Sequence, residues 1–305
     1  MIYTITVNPS IDYIVRLPRL TLGQVNRMQY DAKLPGGKGI NVSRILNQLT
    51  VKNTAWGFLG GFTGNFVQQK LTTEHLTTDF TPITADTRIN VKIKAAEETE
   101  INGQGPEITA AAQKAFKAKF KQLKPGDIVV MSGSLPPALP ESFYRDLIPL
   151  IQAHQAEFVI DTTGQALLDT LSAHPLVVKP NQHELAALFN VNLDHDAAIV
   201  KYGRKLLKMG AKHVLVSMAG AGAFLITPQQ VYKSTAPKGK VINSVGAGDS
   251  MIAGFVGTFS QTQDPLKSFA TGLACGSATA FSEDLAVKAK ITAVQKTIKI
   301  TPYTD

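Results

Sequence analysis

The chain has 305 residues, of which 44% are hydrophobic and 18% charged, and a formal net charge of +8. No apolar run approaches the ~20 residues that cross a bilayer, and the single cysteine, Cys275, excludes an intramolecular disulfide or a zinc site of several thiolates. No repeat, low-complexity tract or long linker divides residues 1–305, so the expectation is one large domain in a reducing, cytoplasmic setting, with no membrane or nucleic-acid partner.

Residues 2–7, I-Y-T-I-T-V, read as a buried first strand and not as a signal peptide. N-P-S-I-D then ends on Asp12, a carboxylate suited either to gripping hydroxyls or to a turn after Pro9. Segments 12–16 and 88–94 alternate as exposed strands do. In R-I-N-V-K-I-K, Ile89, Val91 and Ile93 point one way and Arg88, Asn90, Lys92 and Lys94 the other. Such a sheet can pack its apolar face on a partner subunit while its polar face covers a hydrophilic ligand, although an ordinary edge hairpin has the same pattern. Between these segments, Gly36-Gly37-Lys38 opens a helix over 39–49. It is not a Walker loop, because G-x-x-x-x-G-K-[ST] is absent. Twin glycines admit a ligand to the backbone, and Lys38 and Asn41 can reach hydroxyls or a phosphate. A guanidinium such as Arg88 on a covering strand has no use beside a neutral ligand but pairs well with an anionic one, although a solvated surface arginine fits the same pattern.

Helices are expected over 64–75 and 108–123. In the second, Lys114, Lys117, Lys121 and Lys124 lie opposite Phe116, Phe120 and Leu123, the pattern of a solvated face over a buried one. A strand at 128–131 leads into S-G-S-L-P-P, where Ser132 to Ser134 offer loop donors; without G-x-S-x-G they do not suggest a hydrolase nucleophile. A helix over 140–154 and strands at 158–160 and 176–179 precede K-P-N-Q-H-E. There Pro180 ends the strand and leaves Asn181 and Glu184 one turn apart at the start of a helix over 183–190, the spacing of a capping box and equally of a ligand pair. After a helix over 196–209, strands at 214–217 and 223–226 flank the turn S-M-A-G-A-G-A-F.

The last motif is N-S-V-G-A-G-D-S-M-I-A-G-F. Gly246, Ala247 and Gly248 lead into Asp249 and a helix over 249–260. The free N–H groups and positive dipole end of a helix start bind anions. Asp249 places a carboxylate where such an anion would sit. It makes sense as a base taking a proton from a hydroxyl that attacks the anion beside it, or as an N-cap after a glycine turn. A final helix over 265–282 carries Ala274, Gly276 and Ser277, small residues that suit a cleft wall or close helix packing. Alternating apolar strands and amphipathic helices argue for an α/β fold with a mostly parallel sheet, whose ligands sit at the carboxyl ends of the strands.

G-G-K-G-I-N-V from Gly36 and G-A-G-D ending on Asp249 together resemble the two signatures of the ribokinase-like, or phosphofructokinase-B, sugar kinases, and the likeness extends from N-P-S-I-D to G-S-A-T-A-F. The resemblance implies a three-layer α/β/α domain with a small β lid inserted at about 10–34 and 85–104, and a homodimer formed through that lid. It implies ATP and Mg²⁺, with Asp249 as the base and the N–H groups of Ala247, Gly248 and Asp249 as an anion hole. Asp12, Gly36, Gly37, Asn41, Asn90 and Ser132 would surround the sugar. Lys38 and Arg88 would hold a phosphate that it already carries. Lys179, Asn181, Ser217 and Gly248 would bind the nucleotide, Asn181 in the Mg²⁺ and phosphate environment, with Gly220 and Gly222 along its ribose or adenine and Ala274 and Ser277 on the wall of the adenine cleft. Glu184 would face the metal, through water. T-R-I-N-V-K and S-V-G-A-G-D-S-M look more like the branch acting on fructose 1-phosphate than the one acting on tagatose 6-phosphate. Asn243-Ser244 departs from the Asp-Thr that the family often has there, which weakens a role for an upstream acid. A non-catalytic nucleotide- or sugar-binding regulator would lack the base, and Asp249 is present.

Overall fold

The computed structural model describes residues 1–304. The chain opens with β1 (Ile2–Thr6), β2 (Ser10–Arg16), β3 (Tyr30–Gly36), α1 (Lys38–Gln48), β4 (Asn53–Gly60) and α2 (Gly61–Thr73). Then come β5 (Thr78–Ile83), β6 (Arg88–Lys94), β7 (Glu98–Asn102), α3 (Ala110–Ala118), β8 (Ile128–Ser132), α4 (Phe143–Gln152), β9 (Glu157–Asp161) and α5 (Gly164–Leu171). The remainder is α6 (Gln182–Phe189), α7 (Asp196–Lys208), β10 (Val214–Ser217), β11 (Ala223–Ile226), β12 (Val231–Ser234), α8 (Ala247–Thr262), α9 (Pro265–Ala280), α10 (Lys288–Gln295) and β13 (Ile300–Pro302).

Strands β5-β4-β1-β8-β9 form a parallel sheet. Its central members are buried along their whole length, as strands covered on both faces must be. Alternate side chains feed two separate cores. Val129 and Met131 join Trp56, Phe116 and Phe143 on one face; Ile128 and Val130 join Val42, Phe255 and Phe269 on the other. This is the expected three-layer α/β/α arrangement. No helix among the described residues is long and apolar enough to cross a membrane.

The expected strand at 176–179 is a correction. It forms only isolated bridges, Val178 with Val214 and Asn181 with Ser217, because Pro180 has no N–H to continue a ladder. Its backbone still joins the halves: Leu176 N–H donates to Phe158 and Ser217 N–H to the carbonyl of Pro180. Beyond it lies the antiparallel set β10-β11-β12-β13. The helix expected over 108–123 ends at Ala118 and continues as a 3₁₀ turn over Lys119–Gln122, with Phe116 and Phe120 buried as anticipated.

A second small sheet, β3-β2-β6-β7, forms the lid. Its register is decisive. Ser10 pairs with Arg88, Asp12 with Asn90 and Ile14 with Lys92, so Ser10, Asp12, Arg88, Asn90 and Lys92 share one face. Ile11, Tyr13, Ile89, Val91 and Ile101 share the other.

Candidate active site

The carboxyl ends of β1, β8 and β9, the start of α1 and α8, and the polar lid face enclose one cavity of about 410 Å³. Asp12, Gly37, Lys38, Asn41, Arg88 and Asn90 line it from the lid side; Lys179, Glu184, Gly246, Gly248 and Asp249 line it from the other. Residues more than two hundred positions apart thus meet where an open α/β sheet places its ligands.

Gly246 sets up one end. It adopts the left-handed region at φ 77° as N-cap of α8, and Leu285 lies 2.8 Å from where a β-carbon would stand, so only glycine fits without strain. One expectation about this loop is corrected. The N–H of Ala247 donates to the Ser244 carbonyl, so the free donors at the helix mouth are those of Gly248 and Asp249, which have no acceptor among the described residues. Lys179 Nζ stands over this mouth, 3.1 Å from where a β-carbon of Gly248 would be. Asp249 is buried, and its Oδ2 accepts from Asn41 Nδ2 at 2.8 Å. Burial, with Asp161 nearby, pushes its pKa up to about 6, although Asn41, Lys38 and Lys179 pull the other way. A carboxylate so poised is suited to accept a proton near neutral pH.

Asp161, at the end of β9, is a site residue that the sequence reading missed. Its Oδ2 is 3.1 Å from Lys38 Nζ and its Oδ1 is 3.8 Å from Lys179 Nζ. Burial works against charge on Lys38, but Asp161, Asp249 and Glu184 hold its ammonium above the ordinary value. The signal was available: an acid closing the apolar run F-V-I-D sits at a strand's carboxyl end, where ligands gather.

At the lid, Asp12 Oδ1 accepts from Ser10 Oγ at 2.7 Å and Asn90 Nδ2 at 3.1 Å, while Oδ2 lies 3.4 Å from Lys92 Nζ. Gly36 is glycine because a β-carbon would collide with Asp12 and Ser10; Gly37, at φ 128°, would strike Thr6. The twin glycines therefore let the lid acid and β1 approach. Arg88 is half-buried, and burial lowers its pKa against the pull of Asp12. Its two terminal nitrogens donate to the Gly103 carbonyl at 2.8 Å and Ser134 Oγ at 3.3 Å; its Nε is buried without a partner among the described residues.

Several expected site residues lie elsewhere. Ser132 is buried behind the cavity with an unpartnered Oγ, so the loop hydroxyl that reaches the cavity is Ser134. Asn181 and Glu184 form a complete capping box, each side chain bonded at 2.8 Å to the other's N–H. Glu184 still faces the cavity, and its Oε1 is unengaged among the described residues. Ser217 stands beside Asn181 through their bridge. Gly222 is required because a β-carbon would collide with the Ser234 carbonyl, whereas Gly220 faces open space. Ala274 is buried in the core between α8 and α9, not in a cleft wall; Ser277 is only half-buried.

The pfkB family carbohydrate kinase profile matches residues 5–290. The chain is 47% identical to 1-phosphofructokinase of Bacillus subtilis over 301 residues, 99% of each chain. It is 38% identical to D-tagatose-1-phosphate kinase of Bacillus licheniformis, again over 99% of both. The crystal structure of Escherichia coli phosphofructokinase-2 in complex with fructose-6-phosphate superposes with a TM-score of 0.90 at 27% identity, covering 97% of this chain and 98% of that one.

Proposed function

The chain belongs to the pfkB family of carbohydrate kinases, which makes it a phosphotransferase, and we propose that it transfers the γ-phosphoryl group of ATP to the 6-hydroxyl of D-fructose 1-phosphate. The products are fructose 1,6-bisphosphate and ADP. The observation that carries this reading is one cavity with a desolvated guanidinium at one end and a raised-pKa carboxylate at a helix mouth at the other. Among the described residues no carboxylate is ion-paired with Arg88, so its charge is available for an anion that the sugar brings.

Asp249 takes the proton of the hydroxyl as that oxygen attacks phosphorus, and the free N–H groups of Gly248 and Asp249 with Lys179 receive the charge that develops. Asp12, Asn41 and Asn90 hold the sugar hydroxyls between the glycines at 36 and 37, while Arg88 and Lys38 hold its phosphate. Asn181, Ser217 and Gly220 lie along the nucleotide side. Closing the lid keeps water from competing for the phosphoryl group. No group of three or more His, Cys, Asp or Glu among the described residues is arranged as a metal cage. The single carboxylate oxygen that Glu184 leaves free toward the cavity suits Mg²⁺, which keeps its waters and takes one or two carboxylates besides phosphates. Glu184 would hold it through water, and bound there the ion would offset phosphate charge.

The outer lid face bears on assembly. Ile89 and Ile101 are exposed on the same side of adjacent strands, with Leu22, Val25 and Met28 of the β2–β3 connection also exposed. We read this face as the contact with a second copy, and sedimentation at the mass of one chain would exclude it. A kinase that uses ATP and a sugar phosphate fits a cytoplasmic setting.

Steady-state kcat/KM on fructose 1-phosphate, tagatose 6-phosphate, fructose 6-phosphate and unphosphorylated fructose tests the substrate. Fructose 1-phosphate should lead by at least about tenfold, and fructose should trail furthest because Arg88 is left unpaired with it. A lead for tagatose 6-phosphate would transfer the assignment to that sugar.

A further inference from the structure

We propose that the ion pair between Arg44 and Asp284 is a positioning brace that holds the glycine loop, and with it the anion hole and Asp249, in register with α1. This rests on the kinase reading above and assigns two residues that contact neither reactant.

Arg44 lies on α1 three residues beyond Asn41, so the two share a helix face. Its side chain is only 11% exposed. Nε donates to Glu74 Oε2 at 2.7 Å, and the two terminal nitrogens donate to both oxygens of Asp284, at 3.2 and 2.6 Å. Burial opposes its charge, yet the two carboxylates more than compensate. Glu74 is the C-cap residue of α2 and lines no part of the cavity. Asp284 is different: it belongs to the 281–286 segment between α9 and α10, on which the catalytic loop rests.

That segment and the end of α9 support the loop at several points. The N–H groups of Ile242 and Asn243 donate to the Ala280 carbonyl, at 2.8 and 3.2 Å. Asn243 Nδ2 donates to the carbonyl of Glu283 at 3.0 Å, while its Oδ1 accepts from the Val245 N–H. Leu285 packs against Gly246 itself. Thr279 Oγ1 accepts from the Ala286 N–H and bonds Ser250 Oγ at 2.8 Å, and Ser250 Oγ donates in turn to the Gly246 carbonyl. Helix α1 therefore grips the loop twice: directly, through Asn41 on the Asp249 carboxylate, and from beneath, through Arg44 and Asp284. The direct bond fixes one carboxylate oxygen; the bidentate pair fixes the backbone whose N–H groups must face the phosphoryl group. Misplacing such a constellation by about 1 Å costs on the order of a hundredfold in rate.

The two carboxylates on Arg44 make the test selective. Asp284→Asn keeps shape and leaves Arg44 paired to Glu74; Glu74→Gln removes a comparable charge contact without touching the 281–286 segment. Both should lower Tm by similar amounts. Only Asp284→Asn should lower kcat, by tenfold or more on whichever phosphosugar the wild type turns over, with KM for that sugar within twofold. Its acid limb in kcat/KM should also move below about 6, as water reaches Asp249. Should Asp284→Asn fail to fold, Arg44→Lys, which keeps the charge and loses the fork, should show the same kcat loss. Equal kcat in Asp284→Asn and Glu74→Gln, or an unmoved acid limb, would reduce the pair to a stability contact. A wild type that phosphorylates no sugar phosphate would instead remove the kinase reading on which the proposal stands.

Discussion

Asp249→Asn should lower kcat by about a thousandfold, within the ~10²–10⁴ that a positioned general base contributes, while making the folded protein more stable at neutral pH. The two effects share one cause. Burial holds this carboxyl at about 6 against its ordinary 3.8. Between those values the folded chain retains a proton that the unfolded chain has released, so stability declines as pH rises through that window. Above it the full cost of a buried charge is present, on the order of 1–3 kcal/mol. Asparagine carries no charge and can still accept from Asn41 through its amide oxygen, so the cost is relieved and the structure kept. Thermal melts at pH 7 and pH 4 check this: the variant's advantage should be present at the first and nearly absent at the second. In the wild type, kcat/KM should fall about tenfold per pH unit below about 6; the variant's residual activity should lack that limb. A variant retaining more than about a tenth of wild-type turnover would remove Asp249 as the base, because water alone cannot replace a positioned carboxylate to that degree.

Asp249 could be found because its neighbours announced it. A glycine loop opening a helix has a fixed electrostatic meaning; R-I-N-V-K-I-K gave a two-sided strand with Arg88 and Asn90 on one face, while the resemblance, not the alternation, gave the lid. Other features were hidden because tertiary contacts, not local pattern, decide them. Strand β4 is buried throughout, but its run N-T-A-W-G-F-L-G is broken by glycines. Gly57 is there because a β-carbon would collide with the Thr6 carbonyl on the neighbouring strand, a constraint that exists only once β1 and β4 pair. Gly222 is the same case, fixed by the Ser234 carbonyl. The spacing of Asn181 and Glu184 satisfied both readings, and in the folded chain the capping box is formed. Arg44 gave no local sign at all, since its partners lie 30 and 240 positions away.

Arg88→Ala should raise KM for the phosphosugar about ten- to a hundredfold, the worth of one or two charge-assisted hydrogen bonds at roughly 1.5–3 kcal/mol, with KM for ATP little changed. Burial has already taken part of the water from this guanidinium, and its buried Nε has no acceptor among the described residues. That desolvation is a standing cost recovered only when an anion arrives. Alanine also removes donors to the Gly103 carbonyl and Ser134, so a modest drop in Tm is expected from the lid. A loosened lid alone, however, would weaken all sugars alike. The selective prediction is a collapsed ratio: kcat/KM for the phosphosugar should approach that for unphosphorylated fructose, because the site no longer distinguishes the anion. Arg88→Lys should recover only part of the loss, since an ammonium supplies charge without the planar fork. If Arg88→Ala raised KM for ATP and spared the phosphosugar, the guanidinium would belong to the nucleotide, and the sugar's phosphate would have to rest on Lys38 alone, for which Asp161 already competes.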